Sequence, residues 1–419
     1  MIVNLKEQHC ENFLQSLHKE QWQEVRLGEV AEIISGGTPK TSIPEYWNGE
    51  IPWLTPKDLA GYNHIYISKG ERFITKLGLK NSSATLMPKG TILLSSRAPI
   101  GYVAIAQNDI CTNQGFKSLI VNPKQACNLF VYYWIKDNVK YLQSLGTGTT
   151  FEEISKGVVQ DITIPLPPLT IQQKIAEILS SFDDKIDLLH RQNKTLESLA
   201  LTLFRHYFID NPNRNEWELG KLGDLLLETL AGDWGKEQQD DENGEMVYCI
   251  RGTDIADLQN GLPNKTPIRY VKHKKLMQLQ PNNGDIIFEI SGGTEMQSTG
   301  RCIYINNDIE KLFDAPILFS NFCRLLRVKK AEYGYFLYLY LKFLYNNDEF
   351  FALENGTSGI KNLDYKVLLY QHEYTIPNEQ QIIRFHKEIE IYYYKINQNK
   401  KQIQNLQAMR DMMLRRMFN

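Results

Sequence analysis

Residues 171–208, IQQKIAEILSSFDDKIDLLHRQNKTLESLALTLFRHYF, decide how the rest of the chain is read. Leu179, Ile186, Asn193, Ala200 and Tyr207 recur every seven residues, and Ile175, Phe182, Leu189, Leu196 and Leu203 recur three residues out of step with them. That is the a/d pattern of a coiled coil, sustained beyond what a surface helix of a globular domain needs. The plainer reading is one long core helix. A second such stretch closes the chain. Ile382, Ile389, Ile396 and Ile403 form one seam, and Phe385, Tyr392, Asn399, Leu406 and Met413 form the other. Each stretch carries one Asn in its seam. Asn193 falls at an a position and Asn399 at a d position, and antiparallel coiled coils set a layers against d layers.

Aligning Asn193 with Asn399 fixes every other layer. Leu196 meets Ile396, Ala200 meets Tyr392, Leu203 meets Ile389 and Tyr207 meets Phe385. In the other direction Leu189 meets Ile403, Ile186 meets Leu406, Leu179 meets Met413 and Ile175 meets Met417. Phe182 against Arg410 is the poor layer, tolerable if the Arg stem packs and its head reaches water. The expectation is an antiparallel pair whose Asn layer sets register at some cost in stability.

Outward from the first helix, Pro165-Leu166-Pro167-Pro168 stops a preceding sheet, and Pro212 closes the helix. The organisation expected is a short leading helix over 1–20 (Phe13, Leu14 and Leu17 on one face), a globular segment 21–165, a helix segment 166–211, a globular segment 212–376 and a helix segment 377–419. In the first globular segment, Gly28 to Ile34, Ile51 to Leu54, Thr91 to Ser95 and Tyr102 to Ala106 read as strands, and Leu129 to Gln143 as a helix. The second globular segment repeats the first. Trp22, Arg26, Leu27, Gly28 and Glu29 match Trp217, Lys221, Leu222, Gly223 and Asp224. Lys89 to Leu93 resembles Asn283 to Ile287, and Phe116 with Lys117 to Val121 resembles Phe322 with Cys323 to Val328. Gly146-Thr147 resembles Gly356-Thr357, and Ile162 to Pro165 resembles Tyr374 to Pro377. Gln172-Gln173 resembles Gln380-Gln381. The fold class is therefore α+β, with two pseudo-repeated globular heads separated by two long helices. About 33 helical residues at 1.5 Å each would make a rod of roughly 50 Å, comparable to ~15 bp of duplex. Two heads held at such a separation resemble dimeric readers on half-sites.

The 419 residues suggest two to four domains, and a net charge of −2 gives no basic signature for the whole chain. A nucleic-acid surface would have to be local or shared with a partner. The six cysteines, Cys10, Cys111, Cys127, Cys249, Cys302 and Cys323, are scattered without C-x-x-C spacing. They read as reduced thiols of a cytoplasmic protein rather than zinc ligands. No signal-peptide core or membrane-spanning run is expected. Catalytic patterns are missing too. Gly232-Asp233-Trp234-Gly235-Lys236 lacks the rest of a phosphate loop. Gly146-Thr147-Gly148 is too short for a dinucleotide loop. Asp210-Asn211-Pro212-Asn213 lacks the second Pro and the aromatic of an amino methyltransferase signature. Asp285 and Glu289 lack the Lys of a nuclease core and read as a turn acid and a strand residue. The sequence favours a non-enzyme.

The motifs now in view resemble the specificity subunit of a type I restriction-modification enzyme. They are Leu27-Gly28-Glu29-Val30, Ile34-Ser35-Gly36-Gly37-Thr38-Pro39, Glu45-Tyr46-Trp47, Ile51-Pro52-Trp53 with Asp58-Leu59, Gly90 to Leu93, Arg97-Ala98, Ile100-Gly101, Thr112 to Phe116, and Ile164 to Pro168 with Gln172 to Ile175. Ala231-Gly232-Asp233-Trp234-Gly235-Lys236 departs most, standing where the first head has Ser-Gly-Gly-Thr-Pro. The resemblance implies two target recognition domains reading different halves of a bipartite, asymmetric target in double-stranded DNA. The helices would dock two methyltransferase subunits, restriction subunits would join them, and AdoMet, ATP and Mg would belong to those partners. The chain itself would hold no cofactor or metal.

Polar and basic residues of Gly-rich loops are the candidate DNA contacts. In the first head they are Ser35, Thr38, Lys40, Thr41, Lys57, Ser96, Arg97, Thr147, Thr149 and Lys156. In the second they are Trp234, Lys236, Arg251, Ser291, Thr294, Arg301, Thr357, Ser358 and Lys361. Arg suits guanine, and Lys or Thr suits phosphate. Against this, Ser35 to Pro39 reads as a plain turn and Arg97 as the partner of a structural carboxylate. Trp22 and Trp53 read as core, and Asn113 and Gln114 as structural hydrogen-bonders. Lys400, Lys401, Arg410, Arg415 and Arg416 make the last helix basic, either as a solvated face or as a docking surface. Two other readings remain open: a stand-alone methyltransferase or nuclease, and a coiled-coil protein-interaction scaffold without DNA specificity.

Overall fold

The computed structural model describes residues 13–14, 17, 19–97, 99–148, 152–263, 265–294, 296–356 and 360–418. Most of the leading segment lies outside them, although Phe13, Leu14 and Leu17 pack on the first core. The chain forms two compact units, Met1–Leu188 with Gln404–Asn419, and Leu189–Ile403.

In the first unit, β1 (Gln23–Arg26) is followed by a single helical turn, Leu27–Val30, where a strand was expected. Leu27 and Val30, three apart, both point into the core, which suits a turn and not an alternating strand. Alternation begins only with β2 (Ala31–Ser35), where Ala31 and Ile33 are buried and Glu32 is exposed. The other strands are β3 (Trp47–Leu54), β4 (Tyr66–Ile67), β5 (Arg72–Ile74), β6 (Ile92–Leu94), β7 (Val103–Ala106), β8 (Cys111–Thr112), β9 (Lys117–Val121) and β10 (Thr163–Leu166). They form a five-stranded sheet β2-β9-β6-β7-β4, a three-stranded sheet β5-β3-β8 and the antiparallel pair β1-β10.

The helix expected over Leu129 to Gln143 is broken at Asn138 into Asn128–Asp137 and Val139–Ser144. Asn138 turns its own side-chain amide onto the Trp134 carbonyl at 2.9 Å, competing with the helical ladder. Phe130, Val131 and Tyr133 of this helix are fully buried, in one cluster with Ile175, Leu179, Met413 and Met417 of the long helices.

The second unit repeats the plan with β11 (Glu218–Gly220), β12 (Leu226–Ala231), β13 (Glu245–Ile250), β14 (Ile268–Val271), β15 (Ile286–Glu289), β16 (Ser291–Gly292), β17 (Cys302–Tyr304), β18 (Ile317–Phe319), β19 (Cys323–Val328), β20 (Glu354–Asn355), β21 (Lys361–Leu363) and β22 (Tyr374–Ile376). Its sheets run β12-β19-β15-β17, β14-β13-β18 and β16-β21-β20, with β11-β22 antiparallel. In both heads the first strand of the small sheet pairs in parallel with a later one, β3 with β8 and β13 with β18. Gly90 and Gly284 enter β6 and β15 with φ of +91° and +97°, a left-handed turn that glycine adopts without strain.

Register corrects one match made from sequence. Ile92 pairs with Leu119 and Ile286 with Leu326, so Phe116 corresponds to Cys323 and not to Phe322. Phe116 is fully buried, whereas Phe322 is 47% exposed and stands where the first head has Gly115.

The first long helix runs Leu169–Phe204 and continues as a π-helical turn, Arg205–Ile209; the second runs Glu379–Phe418. Within the second unit the Asn193 and Asn399 side chains are buried and bonded, Asn399 Nδ2 donating to Asn193 Oδ1 at 2.8 Å. Ala200, Phe385, Ile389 and Ile396 share that core. The buried residues there include Phe204, Phe208 and Tyr393, while the seam neighbours Leu203, Tyr207 and Tyr392 are half-buried. The head helix Gly334–Asn346 is the reason. Phe336 lies against Phe204 and Phe208, and Tyr335 stacks on Tyr393 at 4.9 Å, so a third helix widens the buried stripe beyond a two-helix seam.

Within the first unit, the Arg410 head is held between carboxylates, with Nε and Nη2 on the exposed Asp411. Arg410 Nη1 lies 2.5 Å from Asp183 Oδ1, and Tyr133 donates to Asp183 Oδ2 at 2.7 Å. The basic final helix is therefore not a uniform solvated face, because Lys401 is also paired, with Asp308.

Candidate nucleic-acid interface

Both heads build the same loop crossing. At the end of β2 the chain passes over the turn after β8, where Gly37 N–H donates to Thr112 O at 2.9 Å. A Cβ on Gly36 would lie 1.9 Å from Asn113 O, so only glycine lets the two backbones cross. At the end of β12, Asp233 N–H donates to Phe319 O at 3.0 Å, and a Cβ on Gly232 would lie 2.1 Å from Ser320 O. The crossing is pinned from beneath in each head. Trp53 Nε1 donates to Gly37 O at 2.8 Å, and Cys249 Sγ, at the matching position of β13, lies 3.5 Å from Asp233 O.

The side chains carried on this shared backbone differ. The first crossing continues into Thr38-Pro39-Lys40-Thr41. Thr38 Oγ1 bonds Gln114 Oε1, Trp47 Nε1 donates to Lys40 O at 3.2 Å, and Lys40 and Thr41 are exposed. The second continues into Trp234-Gly235-Lys236. Asp233 Oδ1 takes the Gly235 N–H at 2.9 Å, Lys236 pairs with Tyr270 through backbone, and the Arg269 guanidinium lies over the Trp234 ring at 4.2 Å.

The remaining candidates divide by what they touch. In the first head Ser35, Thr147 and Lys156 are exposed, Lys156 opening a short helix capped by Ser155. Lys57 is exposed and 3.2 Å from Glu71. Ser96 is fully buried, at the end of the apolar β6 run, with Lys117 Nζ 3.4 Å away; it is removed from any surface. Arg97 pairs with Glu153 at 3.8 Å, and the buried Lys117 takes the other Glu153 oxygen at 2.9 Å.

In the second head Thr294 is exposed and Ser291 Oγ donates to Asn362 Oδ1 at 2.6 Å. Lys361 donates to Glu354 at 2.9 Å. Arg251 places Nε and Nη2 on the two oxygens of Asp254, at 2.9 and 2.7 Å. Arg301 grips Glu289 the same way, at 2.9 and 2.5 Å. Asp254 and Glu289 are almost wholly buried, and a buried carboxylate left without its cation is strongly destabilising. These two guanidiniums, both held above their ordinary pKa by the carboxylates they bond, are committed to the fold. Thr149, Thr357 and Ser358 lie outside the described residues.

Asp285 and Glu289 are each bonded to an arginine, Arg327 and Arg301. Asp285 accepts from Asn282 N at 2.8 Å and from Arg327 Nε at 3.2 Å, as a turn acid would. Among the described residues no group of three or more His, Cys, Asp or Glu is gathered as for a metal. Arg72, on β5, and Phe322, just before β19, are also exposed, and no Gly-rich loop marks either in the sequence.

Known proteins match at every level of this architecture. A family model for the type I restriction modification DNA specificity domain matches residues 19–198 and again 214–408. The MjaIX type I restriction enzyme specificity subunit of Methanocaldococcus jannaschii is 35% identical, covering 94% of this chain and 91% of its own. The Escherichia coli EcoR124I/EcoR124II specificity subunit is 29% identical over 38% of this chain and 40% of its own. A crystal structure of the S subunit of a type I restriction-modification system from M. genitalium shares the fold, with a TM-score of 0.55 at 17% identity over 95% of this chain and 96% of that one. The chain belongs to the family of type I restriction-modification DNA specificity subunits.

Proposed function

We propose that this chain chooses the DNA sequence for a type I complex, each head reading one half of a bipartite, asymmetric duplex target. The observation that carries this reading is the repeated crossing. One backbone arrangement, enforced by Gly36 in one head and Gly232 in the other, presents Thr38-Pro39-Lys40 in the first and Trp234-Gly235-Lys236 in the second. Constant scaffold with variable side chains is what two readers of different half-sites require. Ser35, Thr38, Lys40, Thr41, Thr147 and Lys156 supply contacts in the first head, and Trp234, Lys236, Ser291 and Thr294 in the second. Lysines hold phosphate and the polar loop residues reach base edges.

The chain acts as a scaffold rather than a catalyst. Its long helices dock two methyltransferase subunits, and restriction subunits join that core. AdoMet, ATP and Mg are bound by those partners, in the cytoplasm. The net charge of −2 fits a shared phosphate surface, with partners supplying much of the positive charge. No helix among the described residues is long and apolar enough to cross a membrane.

The test is selection from a random duplex library by the complex of this chain with its methyltransferase subunit. The account expects two enriched blocks separated by an unspecified gap of fixed length. A stable complex that enriches nothing would favour the protein-interaction scaffold instead.

A further inference from the structure

We propose that Arg72 is the arginine with which the first head reads guanine. The proposal rests on the DNA-reading function given above. The first head contains three arginines, Arg26, Arg72 and Arg97. Arg26 is paired with Glu29 and Asp161, and Arg97 with Glu153. Arg72 forms no ion pair among the described residues. The neighbouring carboxylates are already engaged. Glu71 lies 3.2 Å from Lys57, and Asp58 accepts from Thr55 N and Glu71 N, each at 2.7 Å.

What holds Arg72 is aromatic. Its guanidinium carbon sits 3.6 Å from the Trp47 ring centroid and 5.4 Å from that of Trp53. The two indoles are nearly perpendicular, 5.0 Å apart and buried, so the platform is rigid. The residue is nonetheless exposed. The guanidinium lies at stacking distance from the Trp47 indole, and its planar N–H fork matches O6 and N7 of guanine. The same two indoles donate to Gly37 O and Lys40 O, so the platform that fixes Arg72 also fixes the loop carrying Thr38, Lys40 and Thr41. Arginine and loop form one preorganised surface.

The second head differs at this position: its guanidinium–indole contact, Arg269 over Trp234 at 4.2 Å, lies two residues further along β14, and Arg269 is mostly buried and 3.5 Å from Glu237. Trp53 pairs with Arg72, and Cys249, at the place of Trp53, donates its N–H to Pro267 O at 2.9 Å. Proline stands where the first head has arginine. Substituting Arg72 should therefore change one half of the target.

The experiment is the duplex selection above, run on the complex with the wild-type chain, R72Q and R72K. The wild type should enrich two blocks, one containing a guanine that R72Q no longer prefers. That preference should fall about ten- to hundredfold, the size of one lost bidentate contact, with the other block unchanged. R72K keeps the charge and loses the fork, and it should not restore the preference. Restoration by R72K would reduce Arg72 to a phosphate contact, and an unaltered motif in R72Q would remove it from the interface. Equal weakening of both blocks would make its role structural. A wild-type complex that enriches no split motif defeats the function reading itself, and this proposal with it. If R72Q melts early, R72K, which keeps a cation over Trp47, decides between the outcomes.

Discussion

Asn399 donates its side-chain amide to Asn193 Oδ1 at 2.8 Å inside the packed interface of the two long helices, where the neighbouring layers are apolar. The bond between the two amides forms in one register only, and even there Asn399 Oδ1 is buried without a partner among the described residues. A slip of either helix leaves two polar groups facing hydrocarbon, each at a cost of about 1–3 kcal/mol.

Replacing Asn193 alone with Leu should therefore destabilise the second unit by about 1–3 kcal/mol, since the buried Asn399 amide keeps only the long 3.5 Å contact with Gln192 Oε1. Replacing both with Leu should recover that loss and loosen register. Denaturant unfolding of the two singles and the double measures the coupling. A single N193L as stable as the double would show the pair to be inert.

Asp183 is nearly buried between Tyr133 and Arg410. Arg410→Met should cost about 3–5 kcal/mol, because it leaves a buried carboxylate without its cation. The double variant with Asp183→Leu should lose much less. Unfolding curves that show equal losses for the two variants would contradict the pairing.

Stability should peak on the alkaline side. Burial lowers the Lys400 ammonium to about 8, against the raising pull of Glu197. Between pH 8 and the ordinary lysine range near 10, the unfolded chain holds a proton that the folded chain has released, so stability rises with pH. Burial also pushes the hydroxyls of Tyr132, Tyr133, Tyr335 and Tyr338 above the ordinary tyrosine value. Above about pH 10 the unfolded chain loses those protons and the folded chain keeps them, so stability falls. Melting temperatures across pH 7 to 11 should show a rise and then a steep drop, with the rise reduced in Lys400→Met, because burial also lowers Lys136.

Gly36→Ala should force the first crossing apart, because its Cβ would lie 1.9 Å from Asn113 O. A loss of about 2–4 kcal/mol is expected, in the range of backbone clashes at special positions. Gly232→Ala should do the same in the second head. Each variant complex should lose selection for its own half-site and keep the other. Loss of both halves from one substitution would show that the heads do not read independently.

The long helices were legible because a heptad seam is a local pattern, and one Asn in each seam was enough to align them. Repeats were legible for the same reason, since Gly90 and Gly284 mark the same turn in two places. The misses are tertiary. Nothing local says that Phe204, Phe208 and Tyr393 meet a third helix. Val30 lies in a run that reads as a strand until the face it shares with Leu27 is seen. Phe322 could be told from Phe116 only by pairing β15 with β19. Among the candidate contacts, Ser96 lost its place because β6 carries it into the core. Arg251 and Arg301 lost theirs to Asp254 and Glu289. Asp254 lies three residues from Arg251 and was visible as a partner, whereas Glu289 meets Arg301 only across the β15–β17 edge. Arg72 was missed because its role depends on Trp47 and Trp53 lying beneath it.

The most direct test of the central claim is to co-express the chain with its methyltransferase subunit and map modified adenines across a host genome. Trp22 to Pro165 is then exchanged for the corresponding head of another member of the family. The account predicts one split motif, with methylated adenines on opposite strands in its two halves, of which only one half changes after the exchange. Methylation that ignores the exchange, or none at all from a stable complex, would contradict it.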